Sequence, residues 1–430
     1  MLFPDRIDYK IAGDDFELPR MFMAKQVFSD THIADIPAAV RKAVESLKLP
    51  DLRGLRIALT AGSRGVANQA LILRTVIDIL KEMGAKPFIV PGMGSHGGAT
   101  AEGQLEVIHG YGVTEEAMGV PILASMDVVR LGETATGFPV YCDRHAFEAD
   151  YILPVHRVKP HTDFKAEIES GICKMLVIGL GKHRGASHIH SLGFPKFDKI
   201  IPEAAQVFID SGKIIGSVGV VENAFDETMI IEGMRPAAIV SREKELLVQA
   251  KNAMPRFYMD GIDVLLVEEI GKNISGSGMD PNITGRPGLW LPGFETTCPI
   301  NRIIVMGISA LSHGNATGLG GADLVTVDFM KQADLGSTYI NGITARGLES
   351  SKIPLVANND REALQVALFC CFGLDPANIR IAQITNTLLL STILLSEAYL
   401  PQIKNDPRFE ILSEPEAMRF DANGRLARLQ

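Results

Sequence analysis

The sequence predicts an α/β protein of two closely joined domains with largely parallel sheets and an active site in the interdomain cleft. Three observations carry that expectation. Short apolar runs alternate with amphipathic helical stretches, which is the pattern of a parallel sheet covered by helices. Several of those runs empty into loops rich in Gly, Ser and His, where sheets of this kind bind ligands. The chain's 430 residues exceed what one ordinary core encloses, so two domains are expected, 1–255 and 256–430, with the C-terminal tail free to return to the first.

Taken in order, residues 34–48 (ADIPAAVRKAVESLK) place apolar side chains at helical spacing, and Pro50 closes that helix. RIALTAGSRG (56–65) is a strand breaking into a polar loop, and ANQALILRTVIDILKEMG (67–84) is an amphipathic helix capped by Gly84. KPFIVPGMGSHGGAT repeats the strand and glycine-rich loop before a helix over 101–112. Residues 121–156 are strand-rich, and 169–182 (ESGICKMLVIGLGK) fit a buried helix or a strand equally well. A helix over 196–211, a hairpin over 216–236 and a helix over 241–255 finish the first domain. The second opens with the strand of IDVLLVEEIGKN (262–273), followed by elements at 301–309, 322–333 (a helix), 361–373 and 378–386.

Composition excludes several functions. With 46% hydrophobic and 22% charged residues, the chain reads as a globular protein with a large interior. A net charge of -9, without a basic stripe interleaved with aromatics, argues against nucleic acid as a partner. No apolar run reaches the length of a membrane span, and the N-terminus lacks a secretory pattern, so no membrane partner and a cytoplasmic location are expected. Five cysteines without a C-x-x-C pair suit reduced thiols.

Against that acidic background, residues 154–190 gather five of the ten histidines, and their six Lys and Arg outnumber three acids. Imidazoles and cations concentrated in an acidic protein point to a site for an anion, a metal, or both. Gly62-Ser63-Arg64 precedes Gly94-Ser95-His96 by 32 residues; Lys159-Pro160-His161 follows, then Ser170-Gly171-x-x-Lys174, and His190 comes sixteen residues after Lys174.

This order and spacing resembles the nickel-dependent lactate racemase family, whose members racemise or epimerise 2-hydroxy acids with a nickel-pincer nucleotide. The resemblance covers most of residues 55–330 and is sharpest in the first domain. It implies a cofactor of nickel held by a pyridinium thiocarboxylate mononucleotide and loaded by cofactor-biosynthesis proteins. It implies His96 and His161 as the catalytic acid/base pair, Lys174 as the cofactor-bearing lysine, and His190 as the nickel ligand with His188 as competitor. Arg64 would bind the substrate carboxylate or the cofactor phosphate, with Ser63 and Gly171 beside the cofactor. Ala61, Gly62 and Ser63 stand where the family carries Asp and Thr before the arginine, and Gly171-Ile172 replaces a glycine pair. Covalent tethering by Lys174 and mere contact with the cofactor therefore both stay open.

The chemistry suits these residues. Two histidines titrating near neutrality serve as paired acid and base, and a planar arginine clamps a carboxylate. No side chain accepts hydride, so a cofactor must. Lys272 and Arg286, on the loop 271–286, are candidates to hold the far end of the substrate. Two other readings stay open: a nicotinamide-dependent 2-hydroxy-acid dehydrogenase using Gly92-Met93-Gly94-Ser95-His96-Gly97, and a zinc- or nucleotide-binding protein without racemase activity.

Overall fold

The computed structural model describes residues 3–9 and 15–429, which form two compact units. One runs Ser29–Met254; the other joins the described residues up to Phe28 to those from Pro255 onward. Among the described residues no helix is long and apolar enough to cross a membrane.

In the unit Ser29–Met254, the strand Arg56–Ala61 lies between Lys86–Pro91 and Tyr151–Leu153, parallel to both. Its five residues after Arg56 are all buried, as a central parallel strand requires. Helix Gln69–Glu82 buries Ile72, Leu73, Val76, Ile77 and Leu80, and helix Ile36–Ser46 adds Val40 and Val44 to the same core. These apolar stripes at 3.6-residue spacing are the ones legible in the sequence. A second sheet pairs Val155–Arg157 in parallel with Ser217–Glu222, which runs antiparallel to Thr228–Met234 as the expected hairpin.

The undecided stretch 169–182 is helical. A turn at Ile172–Lys174 leads into a π-helix, Met175–Gly179, and after Gly181 the helix Lys182–Ser191 begins. The glycine-rich loop after Lys86–Pro91 settles directly on the π-helix. A methyl group on Gly92 would meet Met175 Sδ at 2.3 Å, and one on Gly179 would meet that sulfur at 2.6 Å and the Gly92 carbonyl oxygen at 2.8 Å. The Gly94 N–H donates to Gly179 O at 3.1 Å. Two loops distant in sequence are thus held at backbone distance.

In the other unit, the described residues build a sheet of nine strands. Leu355–Ala357, Leu324–Thr326, Ile300–Val305, Ile262–Val267 and Ile381–Ile384 run parallel in that order, and Thr392–Ser396 continues it antiparallel. Two expectations are corrected here. Residues up to 28, assigned to the first domain, instead supply Arg20–Gln26, antiparallel to Thr392–Ser396 and to Phe409–Ile411. Phe22, Ala24 and Gln26 alternate into the interior, which gives that strand its place in the sheet. The C-terminal tail pairs here as well, Glu416–Ala417 against the start of the same strand. The helix expected near 322–333 is confined to Val327–Gln332, because residues 324–326 are a strand.

Gly179→Ala is expected to lower stability by about 1–3 kcal/mol, the usual cost of forcing a methyl group into filled space. Denaturant unfolding measures it, and an unchanged midpoint would mean that the interlock is looser than the backbone distances imply.

Candidate active site

The residues singled out in the sequence come to the site on separate loops. Ser63 and Arg64 follow the strand Arg56–Ala61, and His96 follows Lys86–Pro91. The Ser63 hydroxyl and His96 Nδ1 are hydrogen-bonded, so the two loops meet. His96 is exposed at the loop surface.

His161 sits in a loop closed by the paired Lys159 and Ser170, whose main chains exchange hydrogen bonds of 2.9 and 3.2 Å. The Glu169 carboxylate, buried beneath, accepts the His161 N–H at 2.7 Å and the Ala166 N–H at 3.2 Å. Lys251 donates to it at 2.6 Å, and Lys165 lies 3.6 Å away, so the buried charge is compensated. His161 Nδ1 accepts the Asp163 N–H at 3.0 Å. The neutral ring then carries its proton on Nε2, which faces Lys174 Nζ within hydrogen-bonding distance. Nε2–H can donate only to an uncharged amine. Burial lowers both groups: desolvation, then the Lys174, His190 and Arg64 charges, hold His161 well below the usual imidazole range. Desolvation, opposed by Asp163 and reinforced by Arg64, brings Lys174 down to about 8 although it keeps some solvent contact. Where Lys174 has lost its proton, above about pH 8, a neutral imidazole donating to a neutral amine satisfies these contacts.

His188 and His190 lie on a helix, not on the extended segment expected, and two residues of helix turn them to different sides. His188 is exposed and packs edge-on to Phe138 and Tyr141, at 6.1 and 5.7 Å between ring centres. His190 is half-buried against Phe194 and Phe197, at 5.3 and 5.4 Å. His161 packs 6.3 Å from the same Phe194. His190, not His188, shares a wall with His161 and Lys174.

Arg64 is exposed, yet crowding around its guanidinium lowers its pKa through desolvation, partly offset by Tyr111 and Asp163. It remains a cation at any ordinary pH and, among the described residues, forms no ion pair. It is available for an anion. Gly171 faces Glu243, whose carboxylate a methyl group there would strike. Glu243 Oε2 accepts the Cys173 N–H at 2.8 Å, and burial pushes Glu243 up to about 7. Gly171 therefore serves that packing, one turn from Lys174.

Lys272 and Arg286 belong to the other unit. Lys272 Nζ donates to Gly276 O at 2.7 Å. Arg286 donates to the Ile300 and Asn301 carbonyls at 3.2 and 2.9 Å and pairs with Asp323 at 3.3 Å. These bonds fasten the loop to the strand Ile300–Val305. Glu169, Glu243 and Lys251, by contrast, escaped sequence reading: no motif marks them, and Lys251 and Glu243 lie on a helix that looked only like a domain boundary.

The dinucleotide reading of residues 92–97 loses its basis. Gly92 is filled by Met175, and Gly97, at φ +68°, would place a methyl group 2.5 Å from the Gly103 backbone of the next helix. These glycines serve internal contacts. Nor, among the described residues, do three His, Cys, Asp or Glu side chains gather into a metal cage. A metal held here would draw most of its ligands from a bound group.

Residues 22–197 match the family model described as the lactate racemase N-terminal domain. The fold is similar to that of the lactate racemase apoprotein from Thermoanaerobacterium thermosaccharolyticum, with a TM-score of 0.54 and 14% identity over 84% of this chain and 93% of that one. No curated protein matches the chain by sequence.

If Lys174 is a depressed amine, its labelling by an acylating reagent should rise with pH through about 8, since a base reacts as its deprotonated form. Exposed lysines should follow their ordinary value of about 10.4. Peptide mass spectrometry resolves the curves, and a Lys174 curve that tracks surface lysines would contradict the assignment.

Proposed function

We propose that the chain, whose residues 22–197 match the lactate racemase N-terminal domain, is a member of that family and racemises or epimerises a 2-hydroxy acid with a nickel-pincer nucleotide as cofactor. The observation that carries the reading is the meeting of His161 Nε2 and the Lys174 amine beside a wall shared with His190.

The residues fit the group. His190 offers one imidazole, and a pincer brings the remaining ligands, which suits a site without a protein cage. Lys174, neutral in part at physiological pH, would be able to condense with a thiocarboxyl group to a thioamide, the carboxyl oxygen leaving as water. When bound, the nickel nucleotide supplies the acceptor for the hydrogen that leaves the substrate's Cα with its electron pair. The chain's own residues do the rest. Arg64 holds the substrate carboxylate or the nucleotide phosphate in two-point fashion. His96 and His161 each take the 2-hydroxyl proton for one enantiomer and return it for the other, as a reaction that must run both ways requires. Deep depression of the His161 pKa keeps it neutral at ordinary pH, and to take a proton at Nε2 it must carry its own on Nδ1, toward the Asp163 carboxylate 3.6 Å away.

Loading by cofactor-biosynthesis proteins belongs to the same proposal, and so does the class of substrate. No observation favours a dehydrogenase or a protein-only zinc site once the glycine loop and the ligand set are considered.

His190→Ala is expected to abolish nickel retention after cofactor supply while circular dichroism stays native; His188→Ala should retain the metal. Metal analysis by mass spectrometry decides. Stoichiometric nickel in the His190 variant would remove His190 from the metal, and with it this reading of the site.

A further inference from the structure

One cluster in the unit Ser29–Met254 has no part in the reading above. Lys182, the first residue of the helix that carries His190, is fully buried, as is its partner Asp143 at 3.2 Å. Its backbone is left-handed, φ 52°, a conformation that costs a non-glycine residue about 1–2 kcal/mol. The ammonium donates to Pro91 O at 2.5 Å and to Gln104 Oε1 at 2.9 Å, and Asp143 Oδ2 neutralises it at 3.2 Å as an ion-pair partner without a hydrogen bond of its own. Since Oε1 of Gln104 faces the ammonium, its Nε2 faces the other way. It donates to Gly94 O at 2.9 Å and to His96 O at 3.3 Å. Gln104 is itself fully buried.

The chain of bonds is therefore continuous. It runs from the ammonium at the head of the His190 helix, ion-paired with a buried carboxylate, to the amide of Gln104. From there it reaches the main chain on both sides of Ser95. His96 is exposed, and its loop has few apolar anchors of its own, so its carbonyl and that of Gly94 are the handles by which the interior fixes it.

We propose that Gln104 and Lys182 are positioning residues for His96, setting its loop against the helix that bears His190. This deepens the racemase reading and rests on it for the catalytic role of His96. The geometric part stands apart from activity. A misplacement of about 1 Å at a reacting group costs on the order of 10²-fold in rate.

The test uses Gln104→Met, which keeps the volume but removes both donors, with Gln104→Glu as a second variant. Ionised beside the ammonium, the Glu variant retains an acceptor for Lys182 but presents no donor to Gly94 O or His96 O, and it serves if the Met variant folds poorly. Imidazole nitrogen NMR on the full chain without cofactor reports His96 directly. In Gln104→Met the His96 Nδ1 signal is expected to lose its hydrogen-bonded position opposite Ser63, while His188 and His145 keep theirs. In cofactor-loaded protein kcat should fall about 10²-fold with KM little changed, and Gln104→Glu, which also lacks the donor to Gly94 O, should share the loss. An unchanged His96 signal in a folded Gln104→Met protein would overturn the proposal, as would a rate loss that appears in KM alone. If loaded wild-type protein racemises no 2-hydroxy acid, the functional reading falls, and the His96 signal still decides the positioning.

Discussion

The site depends on one close approach between two backbones. The Gly92–Gly94 loop and the π-helix Met175–Gly179 lie so near each other that a methyl group at Gly92 or Gly179 would overlap Met175 or the facing carbonyl. Packing of this density has no slack. It fixes the loop that carries His96 relative to the helical segment that starts beside Lys174 and ends beyond His190. A π-helix, whose wider turn opens a place for such contact, is often found where function needs it. The Lys182 ammonium adds polar bonds to the same junction, binding Pro91 and Gln104 from the helix side.

Electrostatics gives that junction its purpose. His161, Lys174, Arg64 and Lys165 crowd together, and Glu169 is committed to Lys251 and the His161 loop. Crowded bases in a poorly solvated place shed protons, so His161 and Lys174 shift toward neutrality, whereas the arginine cannot. What remains is a base, an amine nucleophile and one permanent cation. That combination suits an anionic substrate whose hydroxyl must lose and regain a proton. The same loop order puts each group on a different connection, so that rigid strands and helices, not the loops, set the distances.

Much of this was legible in the sequence because it follows from local patterns. The helix over Gln69–Glu82, the strands at 56–61 and 86–91 and the 217–234 hairpin announce themselves by periodicity. The site motifs are short and sit on loops after strands, where an α/β sheet places chemistry. What was not legible depends on contacts across the chain. Arg20–Gln26 alternates like any half-buried strand, and nothing within it says which sheet it joins. His188 and His190 look alike until a helix turns one toward Tyr141 and the other toward Phe194. Lys182 counted as one more surface cation in a basic stretch, and Gln104 as one polar residue of an amphipathic helix. Burial alone reveals both.

The central claim is that the histidines handle only the hydroxyl proton and that the Cα hydrogen never meets water. Racemisation of a substrate deuterated at Cα, by cofactor-loaded protein in ordinary water, tests it most directly. The account predicts inverted product that keeps its deuterium from the first turnovers onward. Extensive loss of deuterium to solvent in early product would contradict it and assign His96 and His161 to the carbon as a two-base proton-transfer pair.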